Sequence, residues 1–109
     1  MVKIKVAIIS DIHGNSVALK AVLEDAKNKK VDDYIFSGDL VNDLPFGNET
    51  LEIVKNTSDK VLKGNKEQYL IEYEEEKYDW KNIQFKNTRF MYDELTDENK
   101  AYIRNLPHC

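Results

Sequence analysis

The chain reads as an α/β protein built on a parallel sheet, and three observations predict it. Short β-branched apolar runs alternate with segments of helical periodicity. Each run is followed at once by a polar cluster that contains glycine. After the third cluster the strand-like runs stop and only helical segments follow. Strand, helix, strand, helix, strand is the order expected of crossover units in a parallel sheet.

Ile4 to Ile9 is nearly continuous in apolar, β-branched character. That is the pattern of a strand buried on both faces. After the polar stretch Ser10–Asn15, Val17, Leu19, Val22 and Leu23 recur at near-helical spacing up to about Lys29. Asn15 or Ser16 is placed to cap that helix, and lysines crowd its carboxyl end, where the helix dipole favours them. Tyr34-Ile35-Phe36 predicts a short second strand, Leu51, Ile53 and Val54 a helix from about Asn48, and Lys60-Val61-Leu62 a third strand. Beyond Asn65, helices are expected from Gln68 to Lys77, from Trp80 or Asn82 to Tyr92, and after Thr96. The last has Asp97 and Glu98 in its first turn and is closed by Pro107.

At 109 residues one domain is expected, large enough to bury roughly two-thirds of its unfolded surface. A net charge of −4 without clustered Lys and Arg carries no nucleic-acid footprint. The charge-dense run Glu72–Lys77 reads as a solvated helix face. No apolar run approaches the ~18 residues of a membrane span. The opening Met-Val-Lys-Ile-Lys-Val is too polar for a secretory signal. A single cysteine, Cys109, fits a reducing compartment, so a cytoplasmic location is expected.

The chemistry sits in three clusters: Ser10-Asp11-Ile12-His13-Gly14-Asn15, Gly38-Asp39, and Gly64-Asn65-Lys66-Glu67. Each follows a predicted strand, and the carboxyl ends of parallel strands open on one edge, where ligands bind. The clusters are therefore expected to converge. Asp11 and His13, two apart, would point to the same side of an extended segment. A carboxylate with an imidazole suits Mn, Fe or Zn better than Ca. Asp39 has two oxygens and can bridge two ions, while Asn65 offers a neutral amide oxygen. Two ions about 3.5–4 Å apart can clamp a phosphoryl group. The bland reading is a set of turns and helix caps: Gly38-Asp39 is a common turn, Gly64-Asn65 a turn signal, and Glu67 at a helix start is a cap or dipole partner. Against it, four fixed residues such as Asp-x-His-Gly-Asn coincide at roughly one position in 10⁵ when each has a frequency of about 5%.

Strand-Asp-x-His-Gly-Asn, then Gly-Asp, then Gly-Asn resembles the calcineurin-like metallophosphoesterases, in particular the small bacterial and archaeal phosphodiesterase-type and diadenosine-tetraphosphatase-like members. The likeness covers the whole chain. It implies a four-layered α/β/β/α sandwich, of which residues 1–109 would form the N-terminal part. A three-stranded core would span 1–65 and a helical segment 66–109. It implies metal ligation by Asp11, His13, Asp39 and Asn65, with Asp39 bridging, and two divalent ions drawn from Mn, Fe, Zn or Ni, manganese foremost. Catalytic roles would fall to Asp39, Asn65 and the residue after it. There the family usually carries a histidine that assists at the phosphate or leaving group, and this chain carries Lys66. A lysine can supply positive charge to phosphate but is a poor proton donor at neutral pH unless desolvated. A solvent-exposed lysine at a helix start is the equal alternative. The family's later His and Gly-His-x-His motifs have no match here. His108 follows a helix rather than a strand. With four ligands for two ions, weak or single occupancy is expected.

Two functional readings stand on these residues. One is a hydrolase of phosphomonoesters or phosphodiesters, favoured because none of the four ligand positions has decayed, though its site would be incomplete in this chain. The other is an inactive half-domain that serves as a binding or interaction module. A receiver-type phosphorylation domain also gathers carboxylates at strand ends, but it does not explain His13. The expected ligand is a phosphoester small molecule, with nucleotides among the candidates. Val41–Phe46 and the helices from Gln68 would line the site. Tyr69, Tyr73, Tyr78, Trp80, Phe85, Phe90 and Tyr92 are available to stack on a base, although such spacings are more often core. Ile4, Val6, Ile8, Ile9, Ile35, Phe36 and Leu62 exceed what one helical layer can cover, so a homo-oligomer through the uncovered sheet face is expected.

Overall fold

The computed structural model of the chain describes residues 3–41, 46–75 and 86–107. Two strands, β1 (Val6–Ile9) and β2 (Asp33–Phe36), pair in parallel from Val6↔Asp33 to Ile9↔Phe36. Helix α1 (Ser16–Asn28) makes the crossover between them, and Asn15 caps it by accepting from the Ala18 amide. After α2 (Gly47–Thr57) the third strand-like run reaches the sheet, and α3 (Asn65–Glu74), α4 (Lys86–Glu94) and α5 (Asp97–Arg104) follow. Thr96 caps α5 by accepting from the Asn99 amide, with Asp97 and Glu98 in the first turn, as its sequence predicts. The expected helix from Trp80 or Asn82 is seen from Lys86 onward; its first residues lie outside the described ones.

The extents of two strands need correction. The first strand begins at Val6 rather than Ile4. Just before it, Asp32 clasps Lys5: the Lys5 amide donates to the Asp32 carboxylate at 2.8 Å and the Asp32 amide to the Lys5 carbonyl at 2.7 Å. The third run, Lys60–Leu62, contributes one parallel bridge, Phe36↔Val61, in place of a full strand. Its neighbouring amides are engaged elsewhere. Lys60 donates to Ser58 Oγ at 3.0 Å, and Lys63 donates to the Pro107 carbonyl at 2.7 Å. Parallel neighbours remain on both sides of Phe36.

The sheet is covered on one face among the described residues. Ile9 and Phe36, a register pair, are buried with Leu19, Leu51, Val54, Val61, Leu70, Met91, Leu95 and Ile103. Helices α2, α3, α4 and α5 all contribute to that core. The alternate residues of β1 face the other way, so Val6 and Ile8 are exposed, Ile8 by 71%, and Ile4 beside them by 72%. The expectation of a first strand buried on both faces is therefore replaced by a strand with one wet face. The helices after Asn65 extend the layer on the Ile9–Phe36 side and leave these side chains open. This asymmetry makes a simple prediction. Phe36→Ala should cost about 3–5 kcal/mol in urea denaturation, whereas Ile8→Ala, measured at concentrations low enough for the chain to be monomeric, should stay within about 0.5 kcal/mol of the parent.

Candidate metal centre

The site is built where β1 and β2 end, and its framework is backbone. Parallel pairing does not stop at Ile9 and Phe36. The Ser37 amide donates to the Ile9 carbonyl at 3.0 Å, Asp11 to Gly38 at 3.3 Å, His13 to Asp39 at 2.9 Å and Gly14 to Leu40 at 2.8 Å. The loop 10–14 and the loop 37–40 are thus zipped together along their length. Within this zipper Asp11, His13 and Asp39 hold left-handed backbone, with φ of 57°, 51° and 53°. Non-glycine residues rarely adopt it, and such strain gathers at functional sites. Lys30 is the only other described non-glycine residue with positive φ.

Asp11, His13 and Asp39 each offer a ligand atom, and the three atoms lie within 4.8 Å of one another. His13 Nε2 is 3.5 Å from Asp11 Oδ1. Ser10 Oγ donates to the other Asp11 oxygen at 3.0 Å. The expected convergence of the first two clusters is therefore present, but its cause differs from the one the spacing suggested. Asp11 and His13 are not alternate residues of an extended segment. Each sits at a left-handed turn of the backbone, and the two side chains meet there with Asp11 exposed and His13 half-buried. Two carboxylates and one imidazole within reach of a single point form a donor set that fits a divalent transition ion.

The third cluster also closes on Asp39. The Lys66 amide donates to Asp39 Oδ1 at 3.0 Å. Gly64 packs so tightly that a Cβ there would lie 2.5 Å from the Asp39 nitrogen and 2.6 Å from Asp39 Oδ1. Gly38, at φ 109°, meets Gly64 in turn: a Cβ on Gly38 would stand 2.7 Å from the Gly64 Cα. Asn65, an exposed residue opening α3, is held between Gly64 and the Lys66 amide, beside the Asp39 carboxylate. Lys66 follows it in the first turn.

Glu67 is the residue that sequence reasoning underrated. Its side chain is fully buried. One oxygen accepts from the Gly64 amide at 3.0 Å, the reach-back of a capping box. The other accepts from the Leu40 amide at 2.8 Å and the Val41 amide at 3.2 Å. Burial pushes its carboxyl up from the usual range while these three amides pull it down. The cap was legible from a glutamate three residues after Gly64; the reach across to Leu40 and Val41 was not. Residues Asn42–Pro45 of the predicted lining loop, and His108, Tyr78, Trp80 and Phe85, lie outside the described residues. Of the other aromatic candidates, Tyr69 and Phe90 are exposed, and Tyr73 meets Tyr92 edge-on at 4.9 Å.

An Asp–His–Asp constellation at the carboxyl ends of parallel strands defines an α/β protein with a candidate metal centre. The calcineurin-like phosphoesterase family model matches residues 4–106, and the chain belongs to that family. In structure it resembles a metallophosphoesterase from Sphaerobacter thermophilus, with a TM-score of 0.77 and 31% identity, covering 95% of this chain and 41% of that one. In sequence it is 40% identical over 65 residues to an uncharacterized protein of Methanocaldococcus jannaschii, covering 60% of this chain and 27% of that protein. The chain thus spans less than half the length of either relative.

The contact between Gly64 and Asp39 is testable. Gly64→Ala forces a methyl against Asp39 backbone, and overpacking of this kind costs about 1–3 kcal/mol. Urea denaturation should register that loss, and Mn²⁺ titration of the folded variant should show weakened binding. A neutral Gly64→Ala would mean that the two loops are not in contact.

Proposed function

We propose that this chain carries the metal-binding part of a phosphoester hydrolase site. The observation that supports it best is the convergence of Asp11, His13 and Asp39 on one point at the strand ends. On this reading Asp11 and His13 hold one ion, Asp39 is shared between two, and Asn65 serves the second. The ions would be manganese in the first instance, with iron, zinc and nickel as alternatives that the donor set also accommodates, and occupancy would be partial. Bound divalent ions supply Lewis acidity toward water and phosphoryl oxygens.

The chain's own groups do the positioning. The amino end of α3 opens at the site, where the helix dipole favours a phosphate. The Lys66 amide holds the Asp39 carboxylate, and the Lys66 ammonium, in the first turn of the same helix, is the candidate for charge stabilisation at phosphate. Its strongly hydrated, compact charge suits electrostatic support better than proton donation. The substrate is a phosphomonoester or phosphodiester small molecule, nucleotides included. The single cysteine supports a cytosolic location. No helix among the described residues is long and apolar enough to cross a membrane.

Turnover decides between this hydrolase and the inactive binding-module reading. With Mn²⁺, the chain should hydrolyse p-nitrophenyl phosphate or bis(p-nitrophenyl) phosphate. EDTA should abolish the rate, and His13→Ala or Asp39→Asn should lower it at least a hundredfold. Mn²⁺ binding without any turnover would favour the module.

The exposed row Ile4, Val6 and Ile8 supports self-association through the open sheet face, since apolar surface of that kind is normally covered. Sedimentation velocity at tens of micromolar should show a dimer, and Ile8→Lys should shift it to monomer. A wild-type monomer that does not bind ANS would end this reading.

A further inference from the structure

We infer that Glu67 is a positioning residue for the metal centre, a clasp that sets where Asp39 stands relative to Asn65. The inference rests on the metal-site reading above and deepens it. Its basis is a reciprocal exchange of carboxylates between the second and third clusters. Asp39, on the loop after β2, accepts from the Lys66 amide in the first turn of α3 at 3.0 Å. Glu67, on α3, accepts from the Leu40 and Val41 amides that follow Asp39, at 2.8 and 3.2 Å. Its other oxygen takes the Gly64 amide just before Asn65, at 3.0 Å. One side chain therefore grips the backbone on the far side of Asp39 and on the near side of Asn65 at once.

A cap alone needs only the Gly64 bond. The two further bonds, and complete burial of a carboxylate, do nothing for the helix end. They hold the loop that carries Asp39. Groups that orient ligands are worth about tenfold to a hundredfold in metal affinity. Acceptor chemistry matters as well as shape, because both oxygens face N–H donors. In a Glu67→Gln variant one end becomes an amide –NH₂, so a donor must confront at least one of those backbone donors. Glu67→Asp keeps both acceptor oxygens but is one methylene shorter, so it cannot span both loops.

The test is Mn²⁺ affinity, read by EPR of the free ion at a temperature where circular dichroism shows each variant folded. Glu67→Gln and Glu67→Asp should each weaken Mn²⁺ binding by about tenfold to a hundredfold. Ile103→Ala, a core truncation on α5, is the control: it should lower the thermal midpoint and leave Mn²⁺ affinity unchanged. Folded Glu67 variants with wild-type affinity would overturn the inference and leave the metal-site reading intact. Failure of the wild-type chain to bind Mn²⁺ would overturn both. If the Glu67 variants do not fold, hydrogen exchange of the wild-type chain decides, because coupling between the clasp and the site is reciprocal. Zn²⁺ should slow exchange at the Leu40, Val41 and Gly64 amides at least tenfold more than at Ala26. An unchanged rate at the three amides would overturn the inference.

Discussion

The structure depends on a backbone ladder that runs past the ends of its strands. Two four-residue strands make a slight sheet, and by themselves they would leave the following loops free. Instead the amides of Asp11, His13 and Gly14 continue to find carbonyls at Gly38, Asp39 and Leu40. Each of these bonds has a modest net value of about 1 kcal/mol. Together they offset part of the strain of three left-handed residues, which is of order 1–3 kcal/mol apiece. The same left-handed turns carry Asp11, His13 and Asp39, so the ladder and the candidate ligands are one construction.

Around this ladder the third cluster is fastened by carboxylates rather than by a strand. Once ionised, a carboxylate only accepts, and loops that leave a sheet are rich in unmatched N–H donors. Asp39 and Glu67 meet them from opposite directions. Burying Glu67 is costly without partners; three amide donors turn that cost into a specific link. Close packing of Gly38 on Gly64 completes the join, and neither position has room for a Cβ without displacement of backbone. Function requires rigid placement of ligands within fractions of an ångström, and such a join supplies it without a third full strand.

The helices serve the site indirectly. Phe36 sits under the ladder, fully buried, with Ile9 beside it and Val61 bridged to its other edge. Leu70 and Ile103 bring α3 and α5 against the same core. Pro107, after α5, accepts from the Lys63 amide and so holds the approach to Gly64. All of this lies on one side of the sheet. Ile4, Val6 and Ile8 face the other side and share in none of it.

Sequence alone determined the parallel α/β order, a helix cap at Asn15 or Ser16 and another at Thr96, and the gathering of Asp11, His13 and Asp39 at one edge. These follow from local periodicity and from the rule that parallel strands end together, and a family-specific motif made the metal reading possible. Tertiary structure decided the rest. Whether β1 is wet on one face depends on where the helices pack, which no property of Val6 or Ile8 encodes. The third strand shrank to a bridge because the amides that would extend it on either side are claimed elsewhere, Lys60 by Ser58 Oγ and Gly64 by the Glu67 carboxylate. Asp11 and His13 point together through positive φ, a conformation their residue types do not announce. Glu67 reads locally as a cap; its grip on Leu40 and Val41 exists only because the fold brings together amides that the chain separates by more than two dozen residues.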